Sequence, residues 1–182
     1  VLGAGDPLPA RPSRVVVAGV SGAGKTTYAQ AIAARLAIPH VEIDALYHGE
    51  NWVPRPSFDR DVDALVARPA WVTEWHYASA RPKVAARAEV MVWLDLPFRI
   101  TLFRVVRRTL RRRLRREVLW NGNREGPLWR FLVDPEHVVR WSVSTRHRYD
   151  DLVPAVAATA PELVVVRLRS RADAARWLDA LA

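Results

Sequence analysis

Gly19-Val20-Ser21-Gly22-Ala23-Gly24-Lys25-Thr26-Thr27 has the residue types and spacing of a phosphate cradle, a P-loop. Gly22 and Gly24 let the backbone curl until its N–H groups, with the N-terminus of a following helix, face an anion. Lys25 can reach β- and γ-phosphates, and the Thr26 hydroxyl is a natural magnesium ligand. The nucleotide-binding set is therefore Gly19, Ser21, Gly22, Ala23, Gly24, Lys25, Thr26 and Thr27. Its flanks fit: Arg14–Ala18 is a short, mostly β-branched run suited to a buried parallel strand. Residues 28–36 (YAQAIAARL) carry helix formers and an apolar stripe. A chance glycine-rich turn has no reason to show both flanks, so the loop points to ATP with Mg2+.

Three carboxylates stand where further chemistry would need them. Asp44, Glu74 and Asp95 each follow an expected strand, at His40–Ile43, Ala70–Thr73 and Glu89–Leu94. Asp44 can hold magnesium through water, or orient and deprotonate an acceptor hydroxyl; a helix cap is the plainer alternative. Glu74, in Thr73-Glu74-Trp75-His76-Tyr77, can reach the metal shell or the acceptor, or serve a loop. Asp95 ends an apolar strand as a magnesium-binding acid would, yet Leu96-Pro97 follows at once, so a capping role competes. Trp52, Trp75 and Tyr77 either wall a pocket or stack on a flat acceptor, or belong to the core. His76 reads as structural or incidental.

The elements that must position these groups alternate. Further strands and helices follow the P-loop helix: a helix over 59–67, one over 78–87, a long helix over 98–116, another over 134–149, a strand over 162–168 and a closing helix over 172–181. Strands alternating with helices make an α/β fold with a parallel sheet covered on both faces. Right-handed crossovers then bring the strand C-terminal ends to one edge, where the three carboxylates should meet the P-loop.

Composition narrows the setting. The 182-residue chain fits one domain, has no cysteine and carries a net charge of +9. No apolar run is long enough to span a membrane, and residues 1–12, with their prolines and glycines, read as a loose tail. A cytoplasmic enzyme is the simplest expectation. Nine arginines and no acid fall between Arg99 and Arg116, so the basic surface is local. Arg104, Arg108 and Arg112 share one helix face. A mobile arginine-rich flap, with Arg108, Arg112 and Arg116 as its catalytic cations, would neutralise a transferring phosphoryl group. A solvated face or a nucleic-acid groove is the alternative, although Phe103 is the one aromatic residue among the arginines.

The order of these features resembles the adenylate-kinase-like P-loop kinases, above all the bacterial topology modulation protein or adenylate-kinase-related group. The resemblance runs nearly the full length. It rests on the P-loop, Ile43-Asp44-Ala45-Leu46, Trp52, the 59–67 segment and Trp71-Val72-Thr73-Glu74-Trp75-His76-Tyr77. Val92-Trp93-Leu94-Asp95-Leu96-Pro97, the basic helix and Trp120-Asn121-Gly122-Asn123-Arg124-Glu125 complete it. It implies a single-domain P-loop NTPase fold with five parallel strands in the order 2-3-1-4-5, an acceptor-side region at 47–68 and a lid at 107–125. Glu74-Trp75 stands where the group commonly has Asp-Gly, which changes the acceptor contacts. Residues and resemblance together give an ATP-dependent phosphotransferase. Lys25 binds the phosphates, Thr26, Asp44 and Asp95 are the metal candidates, and Asp44 or Glu74 positions the acceptor. That acceptor is a small hydroxylated metabolite or a nucleotide, the latter favoured only if Arg55 or Arg60 binds it. The rivals are a nucleic-acid-associated ATPase, a nucleoside monophosphate kinase and a nucleotide-sensing module.

Overall fold

The computed structural model describes residues 1–115, 118–123 and 138–181. β1 (Arg14–Ala18) lies between β2 (Trp71–Glu74) and β3 (Val90–Leu94), and β3 pairs with β4 (Val164–Leu168). All pairings are parallel, in the order β2-β1-β3-β4. Alternation along β1 sends Val15 and Val17 to one face and Val16 and Ala18 to the other. Val15 and Val17 pack with Ala29, Ile32 and Leu36 of α1 (Lys25–Leu36) and Trp177 of the C-terminal helix Arg171–Ala180. Val16 and Ala18 pack with Phe58, Val62 and Leu65 of the Phe58–Val66 helix, Val84 of the Ala80–Arg87 helix and Val153 of the Arg148–Thr159 helix. Both faces are covered, which is why the strands read as near-continuous apolar runs.

In chain order the helices are α1, α2 (Ile43–Tyr47), α3 (Phe58–Val66), α4 (Ala80–Arg87), α5 (Phe98–Arg115), α6 (Val138–Ser144), α7 (Arg148–Thr159) and α8 (Arg171–Ala180). The expected helix over 134–149 is instead two, α6 and α7, within its described part.

The sheet has four strands, not five. Where a second strand was expected, at His40–Ile43, there is one bridge, His40 to Val72. Val41 N–H donates to the Val72 carbonyl at 2.9 Å and Val72 N–H to Pro39 at 2.8 Å. Pairing stops there because Ile43 already begins α2. The four strands that do form keep the expected relative order and direction. The other edge holds a second surprise. Residues 1–12 are not a loose tail: Leu2 bridges to Val166, its N–H donating to Val165 at 2.7 Å and its carbonyl accepting from Arg167 at 2.9 Å. A short segment thus covers each exposed sheet edge. Among the described residues no helix is long and apolar enough to cross a membrane.

Candidate active site

The strand C-terminal ends deliver the P-loop after β1, Glu74 at the end of β2 and Asp95 after β3, all on one edge. Gly22 and Gly24 adopt φ of 78° and 95°, the left-handed region the curl requires. Gly22 has a second constraint. A Cβ there would fall 2.7 Å from Val105 Cγ2 and inside the Thr101 carbonyl oxygen, so α5 can seat on the loop only over a glycine. α5 turns Thr101, Val105 and Thr109 inward at four-residue intervals, and all three are buried. Arg104, on the neighbouring face, donates from Nη1 to the Ala23 carbonyl at 3.1 Å. The basic helix is therefore bolted to the phosphate loop.

Lys25 opens α1, and its Nζ donates to the Val20 carbonyl at 3.3 Å. Desolvation lowers its pKa, the Arg108 charge lowers it further, and Asp44 and Glu74 oppose both. Three charged groups from three other elements thus act on Lys25. Beside them a cavity of about 600 Å³ runs from Gly22–Gly24 and Thr27 to α8, with Arg104, Arg107, Arg108 and Arg111 as one wall. Tyr28 closes its far side by donating from the phenol to the Ala174 carbonyl at 2.7 Å, and burial pushes that phenol's pKa up.

The Asp44 that acts on Lys25 stands on α2. The position of that helix is fixed by Glu74, which is only 3% exposed. One Glu74 oxygen accepts from the Ile43 N–H at 2.9 Å, and the other meets His40 Nε2 at 3.0 Å. The sequence left Glu74 to the metal shell, the acceptor or a loop role; both its oxygens are engaged here, and it holds the start of α2, on which Asp44 stands. Asp44 Oδ1 accepts from the Tyr77 phenol at 2.7 Å. Asp95 goes elsewhere. Its Oδ2 takes Arg167 Nε at 2.8 Å and Nη2 at 2.7 Å, while that guanidinium lies 4.2 Å over the Trp93 ring. This ion pair ties β3 to β4, an arrangement that competes with metal binding.

Of the expected aromatics, Trp75 is core, its indole N–H donating to the Arg81 carbonyl at 3.0 Å. Tyr77 and Trp52 join Tyr47, His48, Phe58 and Trp120 in one cluster beside Asp44. His76 is held neutral: burial first, and Lys25 second, lower its pKa to about 4. Arg55 is engaged by Asp61 at 3.3 Å, and Arg60 is exposed.

The described part of the expected lid folds over this cluster. The Trp120–Gly122 turn meets the Glu50–Trp52 turn, and Asn123 is the clasp. Its amide donates to the Gly49 carbonyl at 2.7 Å and the Trp120 carbonyl at 2.8 Å, and accepts from the Trp52 N–H at 3.0 Å. Burial raises the pKa of Glu42, and the Trp120 side chain partly offsets that rise. Arg112 sits 6.0 Å from the Trp120 ring centre. Arg108 lines the cavity, whereas Arg116 lies outside the described residues.

Sequence reasoning named Arg104 but not its bond to the P-loop, and it missed the roles of Tyr28 and Asn123. Only the first left a signal, four residues before Arg108 on the same face.

No family model and no curated protein matches the chain. Solved structures do. A gluconokinase from Sinorhizobium meliloti 1021 aligns over 94% of this chain and 92% of its own, at 21% identity and a TM-score of 0.53. A shikimate kinase from Acinetobacter baumannii, solved with shikimate, covers 90% of this chain and 87% of its own at 19% identity, TM-score 0.55. A shikimate kinase from Bacteroides thetaiotaomicron covers 93% and 96% at 13% identity, also at 0.55. The fold is that of small P-loop kinases. At these identities the likeness concerns architecture, and the chemistry has to come from the residues.

Proposed function

We propose that the protein is an ATP-dependent phosphotransferase whose acceptor is a small hydroxylated metabolite. The observation that carries this reading is that Asp44, Glu74 and Arg108 all act electrostatically on Lys25, in a P-loop that lines a nucleotide-sized cavity. A simple nucleotide-binding module has no use for a carboxylate presented across from its phosphate lysine. A kinase does.

The P-loop amides and Lys25 bind the phosphates, and the α5 arginines border the nucleoside side. Curled glycines, a desolvated lysine and the adjoining cavity fit a magnesium nucleotide. Thr26 would hold the ion, which when bound screens charge on the phosphate oxygens. Asp44 orients the acceptor hydroxyl. As that oxygen bonds to the γ-phosphorus, the bond from phosphorus to the β–γ bridging oxygen breaks, ADP leaves and Asp44 takes the hydroxyl proton. Arg108 offsets the charge on the transferring group. Arg55, engaged by Asp61, supports a metabolite over a nucleotide acceptor. The motif resemblance to the topology modulation group supports the same class of enzyme and names no substrate.

The test incubates wild type and Lys25→Ala with Mg-ATP and pooled hydroxylated metabolites, nucleotides or polynucleotide, and reads products by mass spectrometry. A phosphorylated metabolite that requires Lys25 is expected. ATP hydrolysis stimulated only by polynucleotide would replace this reading with a nucleic-acid-dependent ATPase.

A further inference from the structure

Asp44 and His48 lie one turn apart, at the start and the C-cap of α2, with the His48 N–H donating to the Asp44 carbonyl at 3.0 Å. Tyr77 reaches both side chains from the loop after β2. Its phenol is 2.7 Å from Asp44 Oδ1 and 3.1 Å from His48 Nε2. The ring is fixed from several directions, stacked on Tyr47 at 3.8 Å and edge-on to Phe58 at 5.3 Å. Its backbone sits at φ 57°, a left-handed conformation costly for a bulky side chain. Such an outlier persists only where surrounding contacts over-determine it, and here those contacts deliver the phenol to Asp44.

Hydrogen-bond bookkeeping then fixes the direction of the chain. A tyrosine hydroxyl has one proton, and a carboxylate only accepts. The proton therefore goes to Asp44, and His48 Nε2 must donate to the phenol oxygen. His48 Nδ1 is left as a buried acceptor with no hydrogen-bond partner among the described residues. We infer that Tyr77 is a positioning residue: locked by a donating His48 Nε2–H, its hydroxyl anchors Asp44 Oδ1 and reserves Oδ2 for the acceptor hydroxyl. The inference rests on the proposed role of Asp44, but the hydrogen-bond chain exists without turnover and can be read separately. A hydroxyl pinned from both sides is preorganised, so the carboxylate does not have to reorient as the acceptor arrives.

Two measurements test it. Side-chain nitrogen NMR of the ligand-free protein should show His48 with a protonated Nε2 and a bare, acceptor-type Nδ1. In Asp44→Ala the phenol loses its acceptor and turns its proton to His48, so the tautomer should switch to Nδ1–H. No general loosening of the site predicts that switch. Tyr77→Phe keeps the ring and its stack and removes only the hydroxyl. With the acceptor found in the product screen, kcat should fall roughly tenfold to a hundredfold, while KM for ATP stays within about twofold. A wild-type His48 protonated on Nδ1, or a Tyr77→Phe enzyme with unchanged kcat, overturns the inference. Absence of any phosphorylated product would instead overturn the proposed function, and the tautomer measurement would still decide the hydrogen-bond chain.

Discussion

His76 is held neutral by burial and by the P-loop lysine, and that neutrality has a consequence for stability. Burial and Lys25 lower its pKa to about 4 in the folded state, against 6.5 for the free side chain. Between those values the unfolded chain binds a proton that the folded chain refuses, so stability falls as pH drops from 6.5 to 4 and levels off below. Full expression of that shift amounts to about 3 kcal/mol. Burial lowers the His48 pKa as well, so the two histidines act in the same direction. Thermal melts across this range should show the decline for wild type and a clear reduction of it in His76→Gln. An equal slope in both proteins would move the cause elsewhere. At this scale sequence was a good guide to type and a poor one to role. Glu74 and Asp95 stand at strand ends as expected, yet what each carboxylate does was decided by a partner distant in sequence, His40 and Ile43 for one and Arg167 for the other. Nothing local announces an ion pair across 72 residues.

The P-loop, α1 and the four strands were legible because their signals are local: glycines at turn positions, valine runs and an apolar stripe. The missing strand at 40–43 and the bridge at Leu2 were not, because pairing at a sheet edge depends on what else competes for the backbone. At His40–Ile43 the competitor is α2, held by Glu74. At Leu2 the edge of β4 recruits a segment whose composition reads as coil. The packing of residues 120–123 likewise depends on tertiary contacts. Asn123 is 5% exposed and joins two short turns through three hydrogen bonds. Asn123→Ala leaves the Trp52 N–H and the Gly49 carbonyl without that side chain, at a cost of about 2 kcal/mol. Because the clasp joins surface turns and not the core, the loss should appear as local opening. We expect hydrogen exchange at the Trp52 amide to rise roughly thirtyfold while the global melting temperature moves little. Unchanged exchange would assign the packing of this segment to Trp120, through its stack on His48.

Across the whole molecule, one sheet edge gathers nearly all the chemistry, and the elements around it are mutually attached. Arg104 joins α5 to the P-loop, Glu74 joins β2 to α2, Tyr28 joins α1 to α8, and Asn123 joins the Trp120–Gly122 turn to Gly49. A ligand that seats in the cavity beside the P-loop therefore touches the N-terminal, central and C-terminal parts of the chain together, and its binding energy should stabilise the fold as a unit. Mg-ATP at a hundred times its dissociation constant adds about 2.7 kcal/mol, which for a domain of this size is roughly 5–10 °C in melting temperature. Lys25→Ala should abolish most of that shift while leaving the ligand-free melting temperature the same or higher, because the desolvated ammonium is itself a burden on the fold. Such a pair of melts separates binding from catalysis. A full shift in Lys25→Ala would place the nucleotide outside the loop, and a Lys25-dependent shift with Mg-ATP but not with unrelated polyanions would tie the arginine-lined cavity to the P-loop as one site.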